Sequence, residues 1–268
     1  MASPLDVFRS DILTGHVALV TGGGTGICRG IAAAYLRLGA DVCIVSRKQE
    51  TLDATAAELR AYGRKVIGVA ADVRKPEEIA RAIAMTVEQL GSLDTLVNGA
   101  AGNFLAPAAG LSPNGFRTVI DIELIGTFNT ARAAFEHLQK SKRGLVLNIS
   151  ATLHYHGTPL QIHASAAKAG VDAITKNLAV EWGTFGIRVN GIAPGPIGDT
   201  EGMKRLAPGQ VDEKMKAAIP ARRFGTIDEI AAAAVFLRSS AAEYVTGHTL
   251  VVDGGHCVAA PALGMSFG

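Results

Sequence analysis

The chain of 268 residues is short of cysteine, of aromatics, of excess charge and of long apolar runs, and each shortage excludes something. Its three cysteines, Cys28, Cys43 and Cys257, are odd in number and scattered, so no disulfide framework is expected and a reducing, intracellular compartment fits. The 26 basic and 24 acidic residues leave a net charge of +2, without the basic stripe of a nucleic-acid binder. No stretch approaches the roughly 18 apolar residues of a membrane span. Met1 to Thr14 alternates polar and apolar residues and lacks the apolar core of a signal peptide. Aromatics make up only 5%, so the 48% apolar fraction rests on alanine and branched aliphatics. The 31 glycines follow no G-X-Y period, and the composition is neither disordered nor coiled-coil.

Short apolar runs alternate with helix-length segments. The runs are His16–Thr21, Asp41–Ser46, Lys65–Ala70, Leu93–Asn98, Gly144–Ser150, Ile187–Ile192 and His248–Asp253. Most are continuous in Val, Ile and Leu, as strands covered on both faces are. Asn148-Ile149-Ser150 matches a glycosylation acceptor, but inside such a run it reads as buried strand. Between the runs, Pro76–Leu90 has Ile79, Ile83, Val87 and Leu90 at helical spacing with Pro76 in its first turn. Thr226 and Glu229 form a capping-box pattern ahead of Ile230 and Leu237. The alternation predicts an α/β fold: one Rossmann-like domain over residues 1–268, a doubly wound parallel sheet of about seven strands with helices on both faces. There is no linker or repeat. The least regular stretch, around 195–225, holds Pro196, Pro208 and Pro220 and reads as a substrate lid.

Thr21-Gly22-Gly23-Gly24-Thr25-Gly26 stands between the first strand and an alanine-rich helix. Glycines there let backbone N–H groups approach a pyrophosphate, and the helix N-terminus favours its charge. The second strand ends in Ser46-Arg47-Lys48, with arginine where an NAD site carries an acid for the ribose hydroxyls. Arginine suits a 2′-phosphate, so NADPH is the expected cofactor. Lys48 reads equally as a solvated lysine. Asp72-Val73 is expected at the end of the third strand, beside the adenine.

The Thr21–Gly26 turn, Asp72, Asn98-Gly99-Ala100-Ala101-Gly102, Lys168, Asn190, Pro194-Gly195 and Asp253-Gly254-Gly255 together resemble the short-chain dehydrogenase/reductase family over nearly the whole chain. Cys28 departs from it, standing where the third glycine is usual. The departures at the catalytic set are larger. Of the family's usual Asn, Ser, Tyr and Lys, only Lys168 is present; Glu123, Ala151 and Ala164 occupy the other positions. Alanine cannot protonate an alkoxide, and general acid catalysis contributes roughly 10²–10⁴-fold, so an ordinary ketone reductase is not expected. Ala100–Leu105, Asp121-Ile122-Glu123, Ala151-Thr152-Leu153, His163-Ala164, Ala167-Lys168, Ala179–Gly183, Pro194–Ile197 and Thr200-Glu201-Gly202 are instead similar to the family's branch of peroxisomal 2,4-dienoyl-CoA reductases. The usual acid there is aspartate, so Glu123 is a mild departure.

The resemblance implies NADPH-dependent reduction of 2,4-dienoyl-CoA to 3-enoyl-CoA in the β-oxidation of unsaturated fatty acids, with an acyl-CoA as substrate. It implies Lys168, Glu123 and Asn103 as catalytic residues. Cofactor contacts are expected from Gly22, Gly24, Thr25, Gly26, Ile27, Arg47, Asp72, Val73, Asn98, Lys168, Pro194, Gly195, Ile197 and Thr200. Substrate contacts are expected from Arg74, Phe104, Ser112, Asn114 and Arg205, the two arginines for the coenzyme A phosphates. Each has a plainer reading: Glu123 as a surface cap, Asn103 as a turn former, Phe104 as core, the arginines as solvated charge. His154-Tyr155-His156 lacks a third ligand, so no metal is expected; Tyr155 remains an alternative proton donor, and His163 reads as a packed helix residue. Two other functions stay open: a reductase of another thioester or a carbonyl, using Tyr155, or a silent NADPH-binding protein, for which Glu123 beside Lys168 has no use. Segments 114–139 and 160–185 match the helices that form the family's tetramer, so a homotetramer is expected. The resemblance implies the peroxisome; Ser266-Phe267-Gly268 is not a Ser-Lys-Leu address, which leaves the cytoplasm open.

Overall fold

All seven apolar runs form strands in the computed structural model, which describes residues 2–198, 200, 202–203 and 211–259. They are β1 (Val17–Thr21), β2 (Asp41–Ser46), β3 (Val66–Ala70), β4 (Thr95–Asn98), β5 (Leu145–Ile149), β6 (Arg188–Pro194) and β7 (Thr249–Val252). Every pairing is parallel, in the order β3-β2-β1-β4-β5-β6-β7. The order reverses between β1 and β4, where Leu19 lies opposite Leu96, and the strand carboxyl ends part there to leave a crevice for a ligand.

The helices are α1 (Gly26–Arg37), α2 (Gln49–Leu59), α3 (Pro76–Leu90), α4 (Pro113–Ile120), α5 (Gly126–Ser141), α6 (Leu153–His156), α7 (Ile162–Trp182), α8 (Val211–Ala218) and α9 (Ile227–Arg238). Two apolar cores lie on the two faces of the sheet. Ala18 and Val20 of β1 face Ile31 and Tyr35 of α1, Leu52 of α2 and Ile230 of α9, whereas Leu19 faces Ile79 and Ile83 of α3 and Leu138 of α5. Side chains alternate across a strand, so a strand buried on both sides has no polar position to spare. α3 has the predicted bounds, with Pro76 in its first turn and Gly91 closing it at φ +97°. α9 starts on the predicted capping box, in which Thr226 accepts from the Glu229 N–H and the Glu229 carboxylate accepts from the Thr226 N–H.

Three local expectations need correction. β3 stops at Ala70, so Asp72 and Val73 lie beyond its end, where the Asp72 N–H is already donated to Glu78 Oε2 at 2.8 Å. The segment 114–139 is not one regular helix, since a single π turn, Asp121–Ile125, joins α4 to α5. The helix expected from Leu160 begins at Ile162, because Leu160 sits in the left-handed region at φ +65°. Of the stretch 195–225, residues 199, 201 and 204–210, Arg205 among them, lie outside the described residues, as does the tail from 260 to 268.

Candidate active site

Two adjoining pockets occupy the crevice between β1 and β4. The larger, of about 400 Å³, reaches from Gly22, Thr25, Gly26 and Ile27 past Glu123 and Lys168 to Pro194, Gly195 and Thr200. The smaller, of about 210 Å³, is lined by Gly24, Ser46, Arg47, Asp72 and Val73. The glycine-rich turn joins them. Gly22 has φ +72°, and a Cβ there would lie 2.7 Å from the Gly99 carbonyl oxygen, so only glycine lets β1 turn this close to β4. Gly26 opens α1 with nothing within 4 Å of where its Cβ would be, leaving space beside the first N–H groups of the helix. These features fit a dinucleotide: a cradle at a helix N-terminus between two pockets, one with an exposed arginine at its adenosine end.

Cys28 accounts for the missing third glycine. A Cβ on Gly99 would lie 2.0 Å from Cys28 Sγ, so the thiol fills that space and the glycine stands on the opposing backbone. Burial pushes the thiol up to about 12, although Lys168 draws it down, so it stays protonated and acts as packing.

Glu123 lies on the π turn, 2% exposed. Its Oε1 accepts the Gly102 N–H at 3.1 Å, and its Oε2 lies 3.3 Å from Lys168 Nζ without the alignment of a hydrogen bond. Lys168, on α7, donates to the Ile149 carbonyl at 2.8 Å, which fixes the ammonium at the end of β5. The expected pair therefore exists, buried and bordering the larger pocket. Ala151 and Ala164 line the same wall with methyl groups. Asn103 borders the pocket too: its Nδ2 donates to Gln161 Oε1 at 2.6 Å, and its Oδ1 is buried without a partner. The ring of Phe104 stacks on His163, with centroids 4.5 Å apart, and its edge lies beside the first turn of α4, where Ser112 caps Gly115.

Other expected residues are engaged elsewhere. The Asn98 side chain, 4% exposed, donates to Asn148 Oδ1 and accepts from Thr130, tying β4 to β5 and α5; only the backbone beyond it reaches the crevice. Ile197 is buried in a bridge to Gly225. Thr200 borders the pocket, its hydroxyl donating to the Ile197 carbonyl at 3.0 Å. Arg74 grips Asp72 through Nε and Nη2, and those hydrogen bonds hold the Asp72 carboxyl below its usual range, with Arg47 adding to the effect. Asn114 is exposed on α4 and borders neither pocket. Tyr155 borders neither pocket either: its hydroxyl donates to Asp172 Oδ2 at 2.8 Å, which His154 Nε2 also contacts at 2.9 Å. Burial and that carboxylate raise the Tyr155 pKa, the wrong direction for an acid.

Two residues, Ser150 and Gln161, were not singled out from the sequence, and His163, expected as a packed helix residue, is one. Ser150 borders the pocket, 3% exposed, with its hydroxyl unpartnered. Gln161 positions Asn103. His163 is fully buried with both ring nitrogens unpartnered beneath Phe104. Ser150 adjoins Ala151, so the hydroxyl was visible one place from the expected slot; Gln161 depends on a contact with a distant segment.

Among known proteins, a family model described as enoyl-(acyl carrier protein) reductase matches residues 22–256. A protein of Arabidopsis thaliana named peroxisomal 2,4-dienoyl-CoA reductase, (3E)-enoyl-CoA-producing, is 49% identical over 263 residues, which is 95% of this chain and 88% of the relative. The solved structure of a short chain dehydrogenase from Bacillus anthracis aligns with a TM-score of 0.83 at 38% identity, covering 91% of this chain and 97% of the other. A gluconate 5-dehydrogenase from Burkholderia cenocepacia, solved in complex with NADP and tartrate, aligns with a TM-score of 0.88 at 31% identity, covering 93% of this chain and 99% of the other.

Proposed function

The chain belongs to the short-chain dehydrogenase/reductase family, and from that premise we propose that it reduces 2,4-dienoyl-CoA thioesters to 3-enoyl-CoA with NADPH. The observation that carries this reading is the buried Glu123–Lys168 pair facing Ala151 and Ala164 across one pocket. No tyrosine lines that pocket among the described residues, so nothing there suits protonation of an alkoxide. A conjugated thioester needs no such acid, because charge arriving at the far carbon delocalises onto the thioester oxygen. A bound nicotinamide supplies the hydride. The chain's residues do the rest.

Gly22, Thr25, Gly26 and the first turn of α1 would hold the pyrophosphate, and Arg47 the 2′-phosphate. Lys168 would hold the nicotinamide ribose while keeping positive potential at the end of β5. Asn103 has one amide N–H held by Gln161 and a second with which to meet the thioester oxygen; fixed donors of this kind stabilise charge as it develops. Glu123 and Lys168 together polarise a water that returns the proton to carbon, and solvent reloads the site. Phe104, stacked on His163 and beside the first turn of α4 that Ser112 caps, would pack against the acyl or pantetheine part; Asn114, which borders neither pocket, is left without a substrate contact.

An NADPH-oxidation assay comparing a dienoyl-CoA, an enoyl-CoA and a simple ketone tests this, with product NMR showing the double bond between carbons 3 and 4. Rapid turnover of ketones with none of the dienoyl-CoA would overturn it. We propose a peroxisomal location, which its relative's name supports, and a homo-oligomer, since Ile125 at the end of the π turn, Phe128 of α5 and Ile162, Val180 and Phe185 around α7 expose apolar surface; light scattering checks the latter.

A further inference from the structure

A cavity of about 550 Å³ opens at the opposite end of the sheet from the crevice, at the amino ends of β1, β5 and β6. Its lining carries Lys142, Arg143, Arg188 and Arg238, with His16 among them, against one carboxylate, Glu243. Buried charges are normally paired. Arg143 reaches Asp94 at 3.2 Å. Among the described residues, Arg188 and Arg238 form no ion pair, although Arg238 is only 5% exposed.

Their hydrogen bonds go to neutral groups. Arg238 donates Nη1 to the Arg143 carbonyl and Nε to His16 Nδ1, both at 3.0 Å. Arg188 gives Nη1 to the Val245 carbonyl at 3.3 Å and keeps its other N–H groups. His16 is caught between guanidiniums: with Nδ1 accepting from Arg238, its Nε2 carries the hydrogen and points at Arg143 Nη1, 3.4 Å away, donor against donor. Burial above all brings Arg238 down to about 10, with Tyr35 and Asp94 opposing the fall and Arg188 and Arg143 adding to it; burial lowers Arg188 as well, against Tyr35 and Glu243. Helix-end and turn carbonyls absorb part of this charge, and both guanidiniums line the cavity without a carboxylate paired to them among the described residues.

We propose that this cavity binds a phosphate-type polyanion, with Arg188, Arg238 and Lys142 as its charged contacts. The group recognised is a diphosphate, free or carried on a nucleoside. A guanidinium held this far from solvent forms stronger contacts with an anion than a surface arginine does, because water competes less for it. The site lies across the sheet from Arg47, so it is independent of the cofactor crevice and of the reductase reading.

The experiment is calorimetric titration of pyrophosphate, and separately of ADP, into protein already saturated with NADP, at ionic strength held constant with chloride. One saturable site per chain is expected. Arg188→Gln should weaken binding by about tenfold or more, the loss of a charge-assisted hydrogen bond. Lys142→Gln, at an exposed position, should weaken it by roughly threefold or more. Arg47→Asp should leave it unchanged. Binding of both probes assigns the shared diphosphate, and binding of pyrophosphate alone assigns the free anion. The proposal fails if no saturable heat appears above the chloride control, if Arg47→Asp abolishes binding, or if the Arg188 and Lys142 variants, shown folded by retained NADP binding, bind as the parent does.

Discussion

Replacing Glu123 by Gln keeps the side-chain shape and removes one charge from the centre of the proposed site. The structure limits what the amide can do. If its oxygen keeps the Gly102 N–H at 3.1 Å, its NH₂ takes the Oε2 position and faces the Lys168 ammonium from 3.3 Å, donor against donor. If it turns over, the Gly102 N–H loses its acceptor. Lys168 keeps the Ile149 carbonyl but no anion. Breaking a buried ion pair by removing one partner costs about 3–5 kcal/mol; because no aligned hydrogen bond joins this pair, about 3 kcal/mol is the expected upper range for stability. A chain of this size loses roughly 2–4 °C in Tm for each kcal/mol, so calorimetry should show a fall of at most about 6–12 °C. With dienoyl-CoA as substrate, kcat should drop by at least about tenfold, the lower edge of what a lost acid–base group costs or just below it. The dissociation constant for NADPH should barely move, since Lys168 keeps the Ile149 carbonyl that fixes it and Glu123 makes no hydrogen bond to the glycine-rich turn or Arg47. Unchanged kcat in Glu123→Gln, together with its abolition in Tyr155→Phe, would refute the assignment and route the proton through the tyrosine.

Arg47→Asp should raise the NADPH dissociation constant about ten- to a hundredfold, from a charge-assisted contact worth roughly 1.5–3 kcal/mol, and improve NADH binding; equal affinities of the parent for both cofactors would contradict the 2′-phosphate role. Gly99→Ala places a methyl 2.0 Å from Cys28 Sγ and should cost about 1–3 kcal/mol by overpacking. Cys28→Gly in the same chain should restore most of the lost Tm, and no recovery would mean that the clash lies elsewhere. Burial, then Arg238 and Arg143, pull His16 down to about 4 from an ordinary 6.5. The unfolded chain therefore binds the extra proton first, so His16 contributes stability that is fully present above pH 6.5 and lost as pH falls towards 4. Chemical denaturation from pH 7 to 4 should show a smaller loss for His16→Gln than for the parent, and identical slopes would exclude this linkage.

The sheet was legible because burial on both faces leaves a plain mark: Leu145–Ile149 offers no polar residue but Asn148, and that one is spent inside on Thr175. α3 was legible to the residue because Pro76 and the Ile79–Ile83 spacing agree with each other. The Glu123–Lys168 contact was reached through family resemblance rather than pattern, since no periodicity links positions on two different helices. The π turn was not legible, because it uses ordinary helix-compatible residues and arises from how α4 and α5 pack. Gln161 was missed because its partner, Asn103, lies 58 residues away. The Asp72–Arg74 pair, two residues apart, was open to view, and the resemblance drew attention to the coenzyme instead.

The π turn at Asp121–Ile125 works as a phase slip. A regular helix advances about 100° per residue, so one surplus residue in a turn rotates everything downstream by about that angle relative to everything upstream. The two halves then answer to different neighbours. Val119 of α4 faces Ala164 and Ala167 of α7 beside the substrate pocket, while Ala131, Ala134 and Leu138 of α5 keep to the sheet. Drift in the entrance half, as an acyl chain of another length enters, need not be transmitted as a rotation of the half that anchors the fold. Glu123 sits on the joint between them. Deleting one residue from 121–125 would restore a continuous helix and bring both halves into one register, which cannot satisfy the pocket wall and the sheet together.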